Sequence, residues 1–381
     1  MLPTSAPTTT GLPAAGRARV RLQPAERRAV VAMAVALVAL TVVGWGVLAI
    51  FVAPQHYDLG TTGVYGIGLG LTAYLLGMRH AFDADHIAAI DNTTRKLLAE
   101  RGPGESRPLS VGFWFALGHA SVVLVLVALI SLGVRAIAGE ISDEGSSFKQ
   151  IGGLVSTGVS GLFLVLIGLI NLVVLVQILK VFRAMRRGRF DEAQLEEQLD
   201  KRGLMNRILG RATRAVRKPR HMYPVGLLFG LGFDTASEVT LLVIAGGAAA
   251  GALPWYAVLV LPILFAAGMS LFDTLDGAFM CFAYDWAFLR PVRKVFYNVT
   301  ITALSVAVAL VIGLVELMSL LADKLGIESG PLAWVAGLDL DNVGFVVVGL
   351  FVVTWVVALA VWKLGRVEER WSAGLARVEE G

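Results

Sequence analysis

Eight long apolar runs constrain the fold of this chain more than any other feature of its sequence. A helix needs about 20 mainly apolar residues to cross a bilayer. Irregular backbone cannot cross lipid, because its N–H and C=O groups would lose their hydrogen bonds. The sequence therefore predicts an all-α, polytopic membrane protein with an eight-helix transmembrane bundle. The predicted spans are residues 29–53, 61–90, 110–134, 152–180, 224–251, 254–284, 295–322 and 342–364.

The basic residues are distributed very unevenly between the two sides of these spans. With the N-terminus inside, 29 of the 33 Lys and Arg residues lie in inner segments, 3 lie in outer loops, and Arg79 lies within the second span. Cytoplasmic loops of membrane proteins carry such an excess of positive charge. Both termini are therefore predicted to be cytoplasmic. The excess of basic residues reflects membrane topology, and no nucleic-acid partner is expected.

Composition and span positions also predict the domain organisation. Residues 1–28 are predicted to be a disordered cytoplasmic tail, because their Thr-, Pro- and Ala-rich start lacks apolar periodicity. Residues 29–364 are predicted to form a single transmembrane domain with a large cytoplasmic loop at 181–222. Residues 365–381 are predicted to form a second cytoplasmic tail.

Ionisable side chains interrupt four of the predicted spans at a similar depth. Charged groups inside a membrane are costly and usually mark a substrate or ion path. Counted from the span ends at about 1.5 Å per residue, the four clusters all fall between the bilayer centre and its inner face. This common depth predicts one shared site. The candidate residues are His80, Asp83, Asp85 and His86 in span two, His119 in span three, Asp234 and Glu238 in span five, and Asp273 and Asp276 in span six.

Imidazole and carboxylate groups together indicate a borderline divalent metal such as Ni²⁺, Co²⁺ or Zn²⁺. A single cysteine leaves no thiolate cluster, which argues against a Cu(I) carrier. Structural roles remain open for several candidates. Arg79 and Asp83, four residues apart, could form an intrahelical ion pair. His119 could serve helix packing, and Asp234 and Asp273 could be interhelical hydrogen-bond partners.

The spacing within span two leaves two arrangements open. His80, Asp83 and His86 follow one another at three-residue steps, so they form a drifting stripe on one side of a helix. On a regular helix, however, His80 and His86 would be about 9 Å apart along the axis. Either the helix is broken here, as at the ion sites of some transporters, or the two histidines serve successive ion positions.

Four segments resemble, in the correct order, the signatures of the nickel/cobalt permease family. The second-span signature of that family has a core of His, four residues, then Asp-His, which His80, Asp85 and His86 match here. The similar segments are residues 79–87 (RHAFDADHI), 115–123 (FALGHASVV), 231–238 (LGFDTASE) and 268–277 (GMSLFDTLDG).

The resemblance implies a high-affinity secondary permease that imports Ni²⁺ and/or Co²⁺ across the bacterial cytoplasmic membrane. It implies a multi-pass protein of the inner (plasma) membrane, with the metal cation and the lipid bilayer as partners. The metal is then the substrate, and neither a cofactor nor an enzymatic activity is expected. His80, Asp85 and His86 are expected to be critical for metal recognition. Supporting roles are expected for His119, Asp234, Glu238, Asp273 and Asp276.

Three other functions remain open at this stage. An efflux carrier for the same metals is possible, although related exporters tend to carry a histidine-rich loop and the 181–222 loop has only His221. An intramembrane metalloenzyme would need more ligands than five histidines readily supply. A membrane scaffold without transport would tolerate loss of His80. No Walker motif occurs in the sequence, so ATP hydrolysis by this chain is not expected to drive transport.

Overall fold

A computed structural model describes residues 22–58, 64–102, 104–131, 147–186, 216–232, 253–287, 291–338 and 343–364. Regular structure in these residues is helical, apart from an isolated bridge between Asp58 and Val64. The α-helices are α1 (Pro24–Val47), α2 (Ile67–His80), α3 (Ala84–Ala99), α4 (Val111–Ser131), α5 (Ser147–Arg186), α6 (Met222–Phe229), α7 (Trp255–Ala287), α8 (Pro291–Leu325), α9 (Pro331–Ala336) and α10 (Val343–Leu364).

Four helical segments of the described chain are long and apolar enough to cross a membrane. They are Pro24–Gln55, Val111–Leu129, Trp255–Asp285 and Thr302–Leu325, and Thr157–Val173 and Val343–Thr354 are shorter apolar helices. The predicted all-helical membrane class is thus confirmed. The count of eight spans, the position of the termini and the domain boundaries stay predictions. Most of the predicted fifth span lies outside the described residues.

The predicted second span is two helices and not one. α2 ends at His80, where the backbone N–H groups of Phe82 and Asp83 donate to the carbonyls of Arg79 and His80 in tight turns. Asp83 then takes an extended conformation (φ −65°, ψ 143°) as the N-cap residue of α3. No proline is needed for this break. The first of the two arrangements left open by the sequence, a broken helix, is the observed one.

α3 also extends beyond the predicted end of the span at residue 90. Residues 91–96 lie in an inner segment by the predicted span bounds, but they are helical and buried. Arg95 and Lys96, which counted as loop charges in the topology argument, are 3% and 4% exposed. The prediction that a loop begins at residue 91 is therefore wrong. Arg95 and Lys96 can be buried because they donate to groups elsewhere in the structure: Arg95 to Thr302 Oγ1 at 2.6 Å and Lys96 Nζ to the Val216 carbonyl at 2.7 Å.

Glycines allow the helices around the break to approach closely. α7 packs along α2 and α4, and α4 packs against α6. On α2, a Cβ at Gly77 would overlap the Phe265 carbonyl of α7, and a Cβ at Gly268 of α7 would overlap the Tyr74 carbonyl of α2. Small residues bring helix backbones together in the same way in membrane proteins generally. This reciprocal pair fixes α2, which ends at His80, against α7.

α10 packs directly against the break between α2 and α3. A Cβ at Gly344 would overlap the carbonyl oxygen of Phe82, so the backbone of α10 lies directly against the segment between α2 and α3. The Phe82 ring stacks on Phe345 at 5.3 Å between centroids and meets Phe272 of α7 at 5.2 Å. The break is therefore held by the last described helix, which carries none of the sequence signatures.

We expect Gly344→Ala to lower the stability of the purified protein by about 1–3 kcal/mol or more, because the added methyl group meets backbone that cannot rotate away. Gly349→Ala on the same helix is the matched control, since a Cβ there meets nothing within 4 Å. Thermal unfolding in detergent measures the difference. Equal midpoints for the two variants would show that α10 does not brace the break.

Candidate metal site

Three histidines from three helices converge beside the break. His80 is the last residue of α2, His86 lies in the first turn of α3, and His119 lies in the middle of α4. One ring nitrogen from each lies within 4.8 Å of the others. His86 is 0% exposed and His119 is 4% exposed. In the described part of the chain these residues form a group of potential metal ligands.

The break makes this convergence possible. The ring centroids of His80 and His86 are 4.7 Å apart, whereas a continuous helix would separate the two residues by about 9 Å along its axis. His119 completes the triangle, with centroid distances of 5.0 Å to His80 and 4.9 Å to His86. The two histidines of the predicted second span therefore lie side by side, and are not separated along one continuous helix.

Two carboxylates orient the rings of His80 and His86. Asp83 Oδ2 lies 2.7 Å from His80 Nδ1, and Asp273 Oδ2 of α7 lies 3.2 Å from His86 Nδ1. Because an ionised carboxylate only accepts, each Nδ1 donates the hydrogen bond, and in the neutral form of each ring Nε2 then keeps its lone pair for a metal. Metal-binding histidines are commonly held by carboxylates in this way.

The Nε2 atoms of His80 and His119 face each other inside the cluster. His80 Nε2 lies 3.3 Å from His119 Nε2, and His86 Nε2 is buried without a hydrogen-bond partner in the described structure. Imidazole bonds to a transition metal are about 2.0–2.1 Å long, so two nitrogens on one ion are at most about 4 Å apart. The present spacing of up to 4.8 Å requires only a small inward movement of the rings to hold one ion.

Aromatic side chains flank the cluster at His86 and His80, while His80 itself stays partly exposed. Phe115 of α4 is fully buried, and its ring meets His86 edge-on at 4.8 Å. Phe265 of α7 lies 5.7 Å from the His80 ring. Apolar neighbours of this kind lower the local dielectric constant, which strengthens the interaction between a cation and its ligands.

The other predicted site residues occupy different positions. Asp85 is half-buried in the first turn of α3, and its Oδ1 accepts the backbone N–H of His86 at 2.9 Å, so it lies outside the three-histidine group. Asp276 follows Asp273 by one turn on α7, and its Oδ2 is buried without a hydrogen-bond partner in the described structure. Asp234 and Glu238 lie outside the described residues.

Sequence reasoning offered Asp273 as an interhelical hydrogen-bond partner, but it did not identify His86 as the partner and did not pair Asp83 with His80. The three-residue spacing between His80 and Asp83 was a local signal, because residues at that spacing share a helix face. The contact between His86 and Asp273 joins positions 187 residues apart. No local pattern could have revealed it, although the shared depth of the two predicted spans was consistent with it.

We expect Asp273→Asn to weaken Ni²⁺ binding by about 10- to 100-fold, because the amide still accepts a hydrogen bond but no longer supplies a negative charge to His86. Asp323→Asn, at the exposed end of α8, is the matched control and should bind as the unmodified chain does. Equilibrium binding of ⁶³Ni²⁺ to detergent-purified protein measures the effect. Equal affinities for both variants would exclude an orienting role for Asp273.

Comparison with known proteins gives consistent matches. The profile of the NicO family, described as "High-affinity nickel-transport protein", matches residues 66–361. The nickel transporter NicT of Mycobacterium tuberculosis is 56% identical over 88% of this chain and 89% of that protein. The nickel transporter NixA of Staphylococcus aureus is 47% identical over 80% and 88%. The cobalt transport protein NhlF of Rhodococcus rhodochrous is 42% identical over 88% and 92%. No solved structure matches the chain.

Proposed function

The chain belongs to the NicO family of high-affinity nickel-transport proteins, and we propose that it imports Ni²⁺ and/or Co²⁺ across the cytoplasmic membrane as a multi-pass secondary permease. As a member of this family it is a transport protein and not an enzyme, which removes the metalloenzyme alternative. Nickel or cobalt is the substrate, and no cofactor is implied.

We propose that His80, His86 and His119 bind the ion in transit. The observation that carries this proposal is the convergence of their ring nitrogens within 4.8 Å in the interior of the bundle. Asp83 and Asp273 orient two of the rings through Nδ1 and supply negative charge near the cation. Three imidazoles without a thiolate suit Ni²⁺ and Co²⁺.

The proposed direction is inward, and the membrane potential is the proposed driving force. A divalent cation that moves inward gains about 4.6 kcal/mol per 100 mV of potential, so uptake does not require ATP hydrolysis by this chain. Two relatives from Helicobacter pylori are named high-affinity nickel-transport proteins, NixA. High affinity is the property expected of a carrier that collects a scarce ion.

The direct test compares metal accumulation in cells that express the chain with accumulation in cells that carry the empty vector. Cells are incubated with submicromolar ⁶³Ni²⁺ or ⁵⁷Co²⁺, and the metal content is normalised to the amount of protein in the membrane. Import predicts accumulation above the vector level for at least one metal. Depletion of preloaded cells would instead show efflux, and unchanged content for both metals would show that the chain does not transport them.

A further inference from the structure

A second buried polar cluster lies on α3, beyond the three-histidine site and outside its contacts. It consists of Asp91 and Arg95 of α3, Tyr284 of α7, and Thr302 and Ser305 of α8, and we call it the α3 joint. Asp91, Thr302 and Ser305 are 0% exposed, Tyr284 is 1% exposed and Arg95 is 3% exposed. Charged groups buried in the interior of a membrane protein are costly, and they usually have a function.

The carboxylate of Asp91 is saturated by donors from two other helices. The hydroxyl of Tyr284 donates to Asp91 Oδ1, and the hydroxyl of Ser305 donates to Asp91 Oδ2. The guanidinium of Arg95 lies 3.8 Å from Asp91 Oδ2 and neutralises its charge. Because both oxygens already have donors and a cation stands beside them, Asp91 is poorly placed to bind a passing metal ion.

Arg95 donates hydrogen bonds to the other three residues of the joint. It donates to Thr302 Oγ1 at 2.6 Å, to Ser305 Oγ at 2.7 Å and to the Tyr284 hydroxyl at 3.1 Å. Its guanidinium also lies over the Tyr284 ring, 4.7 Å from the centroid. Charge-assisted hydrogen bonds with fixed geometry are strong and directional. The joint therefore connects α3 to α7 and α8 in one defined relative position.

The joint and the metal site connect the same two helices. α3 carries His86 and α7 carries Asp273, the carboxylate that holds the His86 ring. Asp91 follows His86 by five residues, about 7.5 Å along the axis of α3. α3 begins after the break, so helical continuity with α2 does not fix its rotation or its position along its axis. Side-chain contacts must fix both.

We propose that Asp91 and Arg95 are positioning residues for metal binding: as a neutral, hydrogen-bonded pair they lock α3 against α7 and α8 and so hold His86 Nε2 within reach of His80 and His119. This inference rests on the proposed function, because it assumes that the three histidines bind the transported ion. It assigns the buried charges a role in the geometry of the site, without direct contact with the ion.

The chemistry of the pair predicts how substitutions combine. Asp91→Asn leaves a buried guanidinium without its counter-charge, and Arg95→Gln leaves a buried carboxylate without one. Removal of one partner of a buried pair is far more disruptive than replacement of both by neutral groups. The double variant Asp91→Asn/Arg95→Gln should therefore recover much of what each single variant loses, since amides can still bond to the hydroxyl groups.

The test is a Co²⁺ titration of the full-length chain, purified in detergent, with the visible absorption bands of the bound ion as the readout. Those bands report the geometry of the imidazole ligands. Each single variant should raise the Co²⁺ dissociation constant at least about tenfold and weaken or shift the bands, by analogy with the loss of supporting contacts at other metal sites. The double variant should bind within about threefold of the unmodified chain.

Tyr284→Phe is a milder substitution in the α3 joint, because it removes one hydroxyl group and keeps both buried charges. It tests the positioning role even where Asp91→Asn or Arg95→Gln does not fold. It should raise the Co²⁺ dissociation constant about threefold to tenfold. Tyr65→Phe is the matched control, because the Tyr65 hydroxyl is also buried and bonds to α7, at the Ala257 carbonyl (2.7 Å), but does not contact α3. It should bind Co²⁺ as the unmodified chain does.

The outcomes separate this inference from the proposed function. Absence of Co²⁺ and Ni²⁺ binding by the unmodified chain would contradict the three-histidine site itself. Binding by Tyr284→Phe equal to that by Tyr65→Phe would overturn the positioning role. A double variant that binds Co²⁺ no more tightly than the weaker-binding of the two single variants would also overturn the positioning role. Metal binding would then require the negative charge of Asp91 itself and not its pairing with Arg95.

Discussion

Replacement of His86 by alanine is expected to reduce Ni²⁺ uptake at submicromolar concentration by at least about 100-fold. The buried Nε2 of His86 has no hydrogen-bond partner in the described structure, and Asp273 holds the ring through Nδ1. Loss of a contact that only supports a ligand typically costs 10- to 100-fold in metal affinity, so loss of the ligand itself should cost at least as much. Initial rates of ⁶³Ni²⁺ uptake, normalised to membrane-inserted protein, measure the effect.

His221→Ala is the control for this experiment. His221 lies outside the cluster, where its Nδ1 accepts the backbone N–H of Arg217 at an exposed site. Uptake by this variant should stay within about twofold of the unmodified chain, as for most exposed substitutions. If His86→Ala retained normal uptake at submicromolar Ni²⁺ while properly inserted, the ion would not pass through the three-histidine site.

Gly77→Ala is expected to be the most damaging single-methyl substitution among the α2 glycines. The added Cβ would overlap the backbone carbonyl of Phe265 on α7. Overpacking costs about 1–3 kcal/mol and more when backbone must move. α2 would be displaced from α7 one turn before His80, so we expect both a lower thermal midpoint and a loss of Ni²⁺ uptake of at least about tenfold.

Gly68→Ala on the same helix separates this steric effect from a general effect of alanine. A Cβ at Gly68 meets nothing within 4 Å, and alanine is a better helix former than glycine. The control should therefore keep or slightly raise stability and keep normal uptake. Comparable losses in both variants would mean that close approach of α2 and α7 is not the cause.

The sequence predicted the class of the fold and left a break in the second span as one of two arrangements, but it did not locate that break. Apolar runs identify helices because lipid leaves the backbone no alternative. The break after His80 depends instead on Gly344, which lies against the Phe82 carbonyl from a distant part of the chain. The contact between Asp83 and His80 adds a local partner at the same point. Without a proline, no pattern within the predicted span indicates where it ends.

The extent of α3 shows a second limit of sequence reasoning. The run from Asp91 to Lys96 is polar, and a polar run between apolar segments ordinarily indicates a loop. It is helical and buried here, and its two charged residues Asp91 and Arg95 have hydrogen-bond partners on two other helices, among them the hydroxyl groups of Tyr284 and Ser305. Such pairing depends on the three-dimensional arrangement of helices, which composition and periodicity do not contain.

The candidate site was partly accessible from the sequence. Depth counting placed His80, His119 and Asp273 at a common level, and the structure brings these three residues into one cluster with His86. The same counting could not distinguish metal ligands from residues that orient them. It also gave Asp85 the same weight as its neighbours, although its carboxylate accepts a backbone N–H at the start of α3.

Nickel K-edge X-ray absorption spectroscopy of the purified, Ni²⁺-loaded chain tests the central claim most directly. We predict scattering from about three imidazole rings at about 2.0–2.1 Å, no sulfur contribution, and loss of this signal in the triple variant His80→Ala/His86→Ala/His119→Ala. A spectrum with only oxygen ligands, or one that is unchanged in the triple variant, would contradict the claim that these histidines bind the transported ion.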